Sequence, residues 1–125
     1  MPYVAVESAR CLGSVIGSGQ CVAYVREVTG LPPTSYWRRG APVRTSSLAS
    51  GTAIATFTPA GLYSNSTSGD SHAAILLEVQ ADGLAVLDQW RGQPVHQRVI
   101  RYRGGQGDAV NDGDRFYVIE IEEVT

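Results

Sequence analysis

The order of two hydrophobic periodicities most constrains what this chain can fold into. From Gln20 to Val28 apolar residues recur at helical spacing, and Gly30 followed by two prolines ends the run. Beyond Gly51 the pattern changes to runs rich in β-branched, aromatic and aliphatic residues, at positions 52–58, 72–79, 84–90, 96–102 and 115–124. One helix followed by consecutive strands predicts an α+β fold in which the helix packs on an antiparallel sheet.

The remaining segments carry weaker patterns. Residues 4–11 fit a short helix or an irregular arm, and residues 13–19 fit a Gly/Ser-rich loop. Residues 31–50 are predicted as loop with one turn of helix at most. The long polar stretch at 58–71 is typical of loops that form lids or binding surfaces.

Length and charge limit the classes of partner. A chain of 125 residues indicates a single domain spanning 1–125. The net charge of −2 gives no electrostatic reason to expect nucleic acid or an anionic membrane as a partner. No apolar run is long enough for membrane insertion, and the first residues lack the basic start and apolar stretch of a secretory signal peptide.

Cys21 opens the predicted helix, directly after a break at 17–19. A helix N-terminus offers unpaired backbone N–H groups and a partial positive charge, and both favour a thiolate over a thiol. The same N–H groups can hold a developing oxyanion. Cys21 is therefore a candidate nucleophile, and a small buried residue packed under the helix is the structural alternative. Nothing around the second cysteine, Cys11, indicates activation.

The chain has two histidines that could serve a thiolate as its base. His72 begins a predicted strand directly after the long polar loop, where it would face the end of the helix. It is therefore the candidate base. His96 lies in a strand rich in arginine and glutamine, and we interpret it as a surface residue.

Asp88 lies on the strand predicted to pair with that of His72, and it is the candidate for orienting the imidazole. The Ala-Asp-Gly tripeptide at 81–83 favours a three-residue loop with a left-handed glycine, which puts both side chains on one face; a two-residue loop would separate them. Asp88 would pair near Leu76, about 13 Å along the strand from His72. Direct contact would then need a strong twist, a bulge, or a His72 that precedes the regular strand. Gln89 is the alternative orienting residue, and a solvated carboxylate is the structural alternative for Asp88.

Four stretches together resemble a known family. "GSGQCVAYVREVTG", "LASGTAIATF", "SHAAILLEV" and "AVLDQW" occur in the order found in CHAP-type and NlpC-type amidases, which are papain-like cysteine peptidases that cut peptidoglycan stem peptides. The resemblance runs from Gly17 to Trp90. It departs from the common pattern at Thr52, where an aspartate is frequent.

The resemblance implies roles for the candidate residues. Carried over by position, Cys21 is the nucleophile, His72 the base and Asp88 the third residue of a papain-like domain that needs no metal or cofactor. Gln20, with the Cys21 N–H, would hold the oxyanion, and Gln89 would support the site. The substrate groove would be lined by residues that flank these three in sequence, namely Trp37, Tyr63, Ser71 and Trp90. Aromatic core packing is the alternative for both tryptophans, and it is favoured for Trp37.

The small size and the lack of a signal peptide resemble the amidase effectors of type VI secretion. This resemblance implies a toxin made in the bacterial cytoplasm without a Sec signal and injected into the periplasm of target cells. It also implies peptidoglycan as the substrate and a cognate immunity protein as a partner.

Other functions fit parts of the same pattern. A non-catalytic wall-binding module would keep the sheet and the groove without needing Cys21. Cys21, His72 and Asp88 could together hold zinc as three mixed ligands. Within the enzyme class, a phage lysin or a housekeeping wall hydrolase would carry the same residues.

Overall fold

The computed structural model describes residues 2–65 and 71–122. One α-helix, α1 (Cys21–Thr29), packs on a single antiparallel sheet with the strand order β1-β6-β2-β3-β4-β5. The strands are β1 (Trp37–Pro42), β2 (Ala53–Thr56), β3 (Ala73–Val79), β4 (Gly83–Trp90), β5 (Gln93–Arg101) and β6 (Phe116–Ile121). The predicted α+β class, with the helix first and packed on an antiparallel sheet, is confirmed.

Helix α1 begins and ends where the sequence predicts. Gln20 is extended (ψ 157°), and the helix starts at the next residue. At the other end Gly30 adopts φ 75°, and its N–H donates to the Arg26 carbonyl at 2.9 Å. A left-handed residue with this bond is a common helix C-terminus, and glycine adopts the conformation without steric cost. The apolar stripe lies over β3 and β4 and buries three side chains, Tyr24, Val25 and Val28.

Both faces of the sheet are covered by apolar side chains. The face under α1 belongs to a core that includes Trp37, Ile75, Leu87 and Ile119. A second core lies on the opposite face, with members from five strands and the segment after β1, namely Val43, Ile54, Ala74, Leu76, Leu84, Val86, Ile100, Phe116 and Val118. Burial of both faces explains why the central strands read as continuous apolar runs rather than as clean alternations.

Strand β1 was not predicted from the sequence. Its segment contains two arginines, a glycine and a proline, all poor indicators of a strand. It nevertheless pairs with β6, Trp37 opposite Ile121, with an irregularity between Arg39 and Pro42. A strand at the sheet edge tolerates a proline, because one row of its backbone groups has no ladder partner. The expected turn of helix is the 3₁₀ turn Thr34–Tyr36 that precedes this strand.

The hairpin between β3 and β4 differs from the prediction. Its connection has two residues, Ala81 and Asp82, closed by the Gln80 N–H donating to the Gly83 carbonyl at 2.8 Å. Gly83 is not left-handed. A Cβ there would lie 2.6 Å from the Ile100 carbonyl oxygen. The glycine therefore permits close approach of β5 and supplies no bulge.

A bulge in β3 puts the His72 end of the strand and Asp88 on the same face of the sheet, although the two-residue loop alone would put them on opposite faces. Leu76 pairs with Val86 and Glu78 pairs with Ala85, so Leu77 is an extra residue in β3. One extra residue reverses the facing of every side chain beyond it. The end of β3 next to His72 is thereby brought onto the same face as Asp88, although the loop alone predicts opposite faces.

Parts of two predicted segments lie outside the described residues. Of the long polar loop at 58–71, positions 66–70 are not described, and of the run at 115–124 the last two positions are not. The expected short helix in residues 4–11 is a 3₁₀ turn at Ser8–Cys11. In the described ranges, no helix combines the length and the apolar character that a bilayer span requires.

Candidate active site

Cys21 is the first residue of α1, and its side chain is half-buried. Its N–H is one of the first in the helix, so it has no intrahelical acceptor. The Gln20 side chain does not cap the helix. Cys21 and Gln20 both line a cavity of about 350 Å³. The thiol and a free helix-terminal donor therefore meet at the same opening.

His72 and Asp88 are in direct contact. His72 lies immediately before β3, and its Nε2 is 2.7 Å from Oδ2 of Asp88. Two of the three conditions named for such contact are present, because β3 carries a bulge and His72 precedes the regular strand. The Ile75–Leu87 pair places Asp88 opposite Ala74, so the contact with His72 is a diagonal one. Since Nε2 bonds Asp88, Nδ1 is the nitrogen left to face Cys21.

Asp88 is fully buried and has a second cationic partner. The Nε and Nη2 atoms of Arg98, on β5, lie 2.9 and 2.8 Å from the same oxygen that accepts from His72. An ionised carboxylate is costly to bury unless cations and hydrogen bonds compensate it. Arg98 supplies that compensation, and this role was not predicted from the sequence.

His96 is not the surface residue that we expected. It lies directly across from Asp88 in the β4–β5 ladder, and its Nδ1 donates to the Asp88 carbonyl at 3.2 Å. The same nitrogen is 3.7 Å from Oδ1 of Asp88, a buried oxygen with no hydrogen-bond partner among the described residues. The Trp90 ring packs edge-on against His96 at 5.0 Å and lies beside the Arg98 guanidinium. Trp90 thus covers this polar cluster and also lines the cavity.

The pKa values of the three candidate residues shift in the directions that a thiolate–imidazolium pair requires. Burial opposes ionisation of the Cys21 thiol, but the hydrogen bond and charge of His72 and the Ala73 backbone bring its pKa below the ordinary value. Burial likewise opposes protonation of His72, yet Asp88 and Cys21 raise its pKa to about 9. For Asp88, burial is outweighed by hydrogen bonds from His72 and Arg98, and its pKa is lowered.

Tyr63 and Ser71 lie in the wall of the same cavity. The Tyr63 hydroxyl is 3.7 Å from Cys21 Sγ, within hydrogen-bonding range for sulfur. Burial and the charge of Cys21 raise the pKa of Tyr63, so it remains a neutral donor. Two further lining residues, Asn65 and Arg91, were not predicted. Asn65 adopts φ 54°, a left-handed conformation that asparagine tolerates better than most residues.

Trp37 does not line the groove. Its ring is fully buried in the core under α1, 4.9 Å from Tyr63, and its Nε1 donates to the Pro32 carbonyl at 2.9 Å. The alternative of aromatic core packing is therefore correct for this residue. Trp37 reaches the site indirectly, because it packs against the ring whose hydroxyl contacts Cys21.

Gln89 does not contact His72. It points to the other face of β4, where it is fully buried against the segment that leads into α1. Its Oε1 accepts from the Ile16 N–H, and its Nε2 donates to the carbonyls of Ile16 and Gln20 at 2.9 and 2.8 Å. Gln89 therefore fixes the backbone just before Cys21, which is a supporting position, while Asp88 occupies the place beside the imidazole.

The three candidate residues lie in series and do not surround a common point. Asp88 is on one ring nitrogen of His72, and the imidazole in turn lowers the pKa of the Cys21 thiol. Among residues 2–65 and 71–122, no group of three His, Cys, Asp or Glu side chains is placed to hold a metal ion. The zinc alternative therefore finds no support in this geometry.

Comparison with known proteins gives matches over nearly the whole chain. The family model described as domesticated amidase effector 2 matches residues 3–119. A protein of that description from Ixodes scapularis is 42% identical over 107 residues, covering 82% of this chain and 71% of the relative. The type VI secretion amidase effector 2 protein of Salmonella typhi is 29% identical over 136 positions, which cover 96% of this chain and 100% of the relative. A solved structure of a type 6 secretion amidase effector 2 superposes with a TM-score of 0.83 at 29% identity. The match covers 98% of this chain and 97% of the solved chain.

Proposed function

The chain belongs to the domesticated amidase effector 2 family and is a papain-like amidase, and from that premise we propose that it hydrolyses peptidoglycan stem peptides as an antibacterial effector. The observation that carries this proposal is the placement of Cys21 and His72 in the wall of one cavity, with the buried Asp88 hydrogen-bonded to His72 behind them. Both the thiolate and the imidazolium are favoured there. A cysteine amidase needs the first to attack and the second to protonate the leaving group.

The proposed reaction has two halves. The Cys21 proton passes to Nδ1 of His72, and the thiolate attacks the carbonyl carbon of a stem-peptide amide. The Cys21 N–H and the Gln20 side chain hold the resulting oxyanion. His72 then gives its proton to the amine as the C–N bond breaks, which leaves an acyl group on sulfur. Water, deprotonated by His72, attacks this thioester and releases the acid and the free thiol.

Asp88 has a supporting role in this proposal. Its carboxylate accepts a hydrogen bond from the Nε2–H group of His72, which fixes the ring so that Nδ1 points to the thiol. It also stabilises the imidazolium that forms when Cys21 ionises. The Tyr63 hydroxyl, at 3.7 Å from Sγ, favours the thiolate and closes one side of the groove. Ser71 and Trp90 complete the walls that receive the peptide.

The relatives support a proposal for the setting of the activity. Two of them are described as type VI secretion amidase effectors. We propose that this chain is likewise injected into competitor cells, acts on the wall in their periplasm, and is held inactive in its producer by an immunity protein.

Mass spectrometry of muropeptides tests the proposal. Purified wall material incubated with the wild-type chain should yield new peptide fragments from one specific amide bond, and Cys21→Ala should yield none. Binding of both proteins to the wall without new fragments would indicate the non-catalytic module instead. Expression with and without a periplasmic signal tests the setting, and equal toxicity in both compartments would contradict a wall target.

A further inference from the structure

A second cavity lies beside the candidate active site, and no step of the proposed reaction uses it. Its volume is about 320 Å³, close to that of the first. It is formed by β1, by the end of β2 and the chain after it, and by the start of β6 and the segment before it. Its lining includes Arg39, Phe57, Ser64, Arg115 and Tyr117.

The lining of this second cavity is cationic. It contains two arginines, several hydroxyl groups and two aromatic rings, and none of its lining residues is acidic. Since the chain as a whole has a net charge of −2, this local excess of positive charge runs against the overall balance. A cavity of this composition is complementary to an anionic ligand that also has apolar parts.

Within residues 2–65 and 71–122, both guanidinium groups are only partly engaged. There Arg39 lies over the Tyr117 ring at 5.4 Å and makes one long hydrogen bond, 3.4 Å, to the Thr58 carbonyl. Arg115 donates to the Gly105 carbonyl at 3.0 Å, and its side chain is half exposed. A guanidinium has five N–H donors, so these contacts leave donors on each arginine for a ligand.

Asp112 neutralises Arg115 only in part. It forms an ion pair with Nε of Arg115 at 3.9 Å, beyond hydrogen-bond distance. Its two oxygens already accept from the backbone N–H groups of Arg103, Gly105 and Asp114 at 2.7 to 2.9 Å. Asp112 therefore mainly serves the turn before β6, and part of the charge of Arg115 remains available at the cavity.

One chain segment separates the two cavities. Tyr63 and Asn65 line the candidate active site, while Ser64, between them, lines the second cavity. The Phe57 ring packs 6.3 Å from that of Tyr63 and 6.5 Å from that of Tyr117. A peptide bound at Cys21 therefore lies one chain segment away from the second cavity.

We propose that the Arg39–Arg115 cavity is a second substrate-binding site, which holds a carboxylate of an acidic wall peptide away from the bond that is cut. This inference rests on the proposed function. Peptidoglycan stem peptides carry free carboxylates at several positions, and arginine binds a carboxylate through two parallel hydrogen bonds. The site contributes to capture of the polymer and leaves the chemistry at Cys21 unchanged.

Two measurements test the site. In a Cys21→Ala background, Arg39→Gln with Arg115→Gln should reduce retention on sedimented wall material about fivefold to tenfold, consistent with two partly exposed charge-assisted contacts. In the active chain the same pair should raise KM by a similar factor and leave kcat within twofold. Arg39→Glu should weaken retention more than Arg39→Gln, and added salt should narrow the difference between wild type and the double variant.

Arg101→Gln is the matched control. Arg101 is exposed and lies at the end of β5, on the opposite edge strand, where it pairs with Asp82. If the Arg39 and Arg115 variants bind and turn over like this control, the second site is refuted while the proposed function stands. If the wild type binds the wall but cleaves nothing, the proposed function fails and the retention assay still decides the second site. If the wild type neither binds nor cleaves, both fail. Circular dichroism confirms folding, and Arg39→Gln alone suffices if the Arg115 variant is unstable.

Discussion

Replacing Asp88 by asparagine should move the alkaline limb of the pH–activity profile to lower pH. Asparagine keeps the shape and an oxygen that can accept from Nε2 of His72, but it removes the negative charge. In the wild type, Asp88 and Cys21 together raise the pKa of His72 from 6.5 to about 9, which corresponds to about 3 kcal/mol in favour of the imidazolium. Because the protonated ring is the active form, activity is lost as the pH rises through this value.

The expected size of the change in the His72 pKa depends on the charges that remain. In Asp88→Asn the Cys21 thiolate still favours the imidazolium, whereas Arg98, beside the same position, opposes it, so the pKa of His72 should fall from about 9 towards its ordinary value. At pH 8.5 the protonated fraction should then fall at least severalfold, while at pH 5.5 it hardly changes. The assay is the initial rate of muropeptide release at low substrate concentration, which is proportional to kcat/KM, measured from pH 5.5 to 10.

Asp88→Ala separates charge from positioning. It removes the acceptor as well as the charge, so its profile should show the same shift of the limb and also a lower plateau. A lost positioning effect scales the rate by one factor at every pH, whereas a lost charge moves the limb. If Asp88→Asn keeps a limb near pH 9 and is only scaled down, the carboxylate charge does not hold His72 protonated and the electrostatic reasoning is wrong.

Three further predictions test the surroundings of the site. Iodoacetamide near neutral pH should label Cys21 before Cys11, because the first has a lowered pKa and lines a cavity whereas the second is buried; peptide mapping that finds the reverse would contradict the assignment. Gln89→Ala should lower Tm by roughly 10 °C and slow turnover, because buried groups including the Gln20 carbonyl lose their hydrogen-bond partner. An unchanged melting curve would count against this role of Gln89. Arg98→Met should lower the free energy of unfolding by roughly 2–4 kcal/mol in urea titrations, with partial recovery in Arg98→Lys, and equal loss in both would show that packing matters more than charge.

Local sequence determined the ends of the helix that carries Cys21 and the positions of most strands. The break before Cys21 and the glycine after the helix set the boundaries of α1, because backbone conformation at such positions depends on the residues themselves. The composition of the strand runs was likewise enough to locate β2 to β6, since β-branched and aromatic residues with flanking turns are local signals. The position of His72 at the start of a strand was predicted from the same local signals.

The tertiary structure decided which side chains meet. The contact between His72 and Asp88 depends on an extra residue, Leu77, and no local signal marks a bulge inside an apolar run. The face of every residue beyond it depends on that single insertion. Sequence reasoning placed both residues on one face through the wrong loop, so its conclusion was right and its cause was not.

Partners contributed by neighbouring strands were equally beyond the sequence. Arg98 and His96 read as polar residues of a solvated strand, and only the β4–β5 register brings them to the buried Asp88. A buried carboxylate requires nearby cations, and β5 carries basic residues that could supply them. This argument could have pointed to β5, but only once the burial of Asp88 is known. Trp37 was named as a groove residue although core packing was favoured for it, and only the fold decided between the two, because burial is a property of the whole structure.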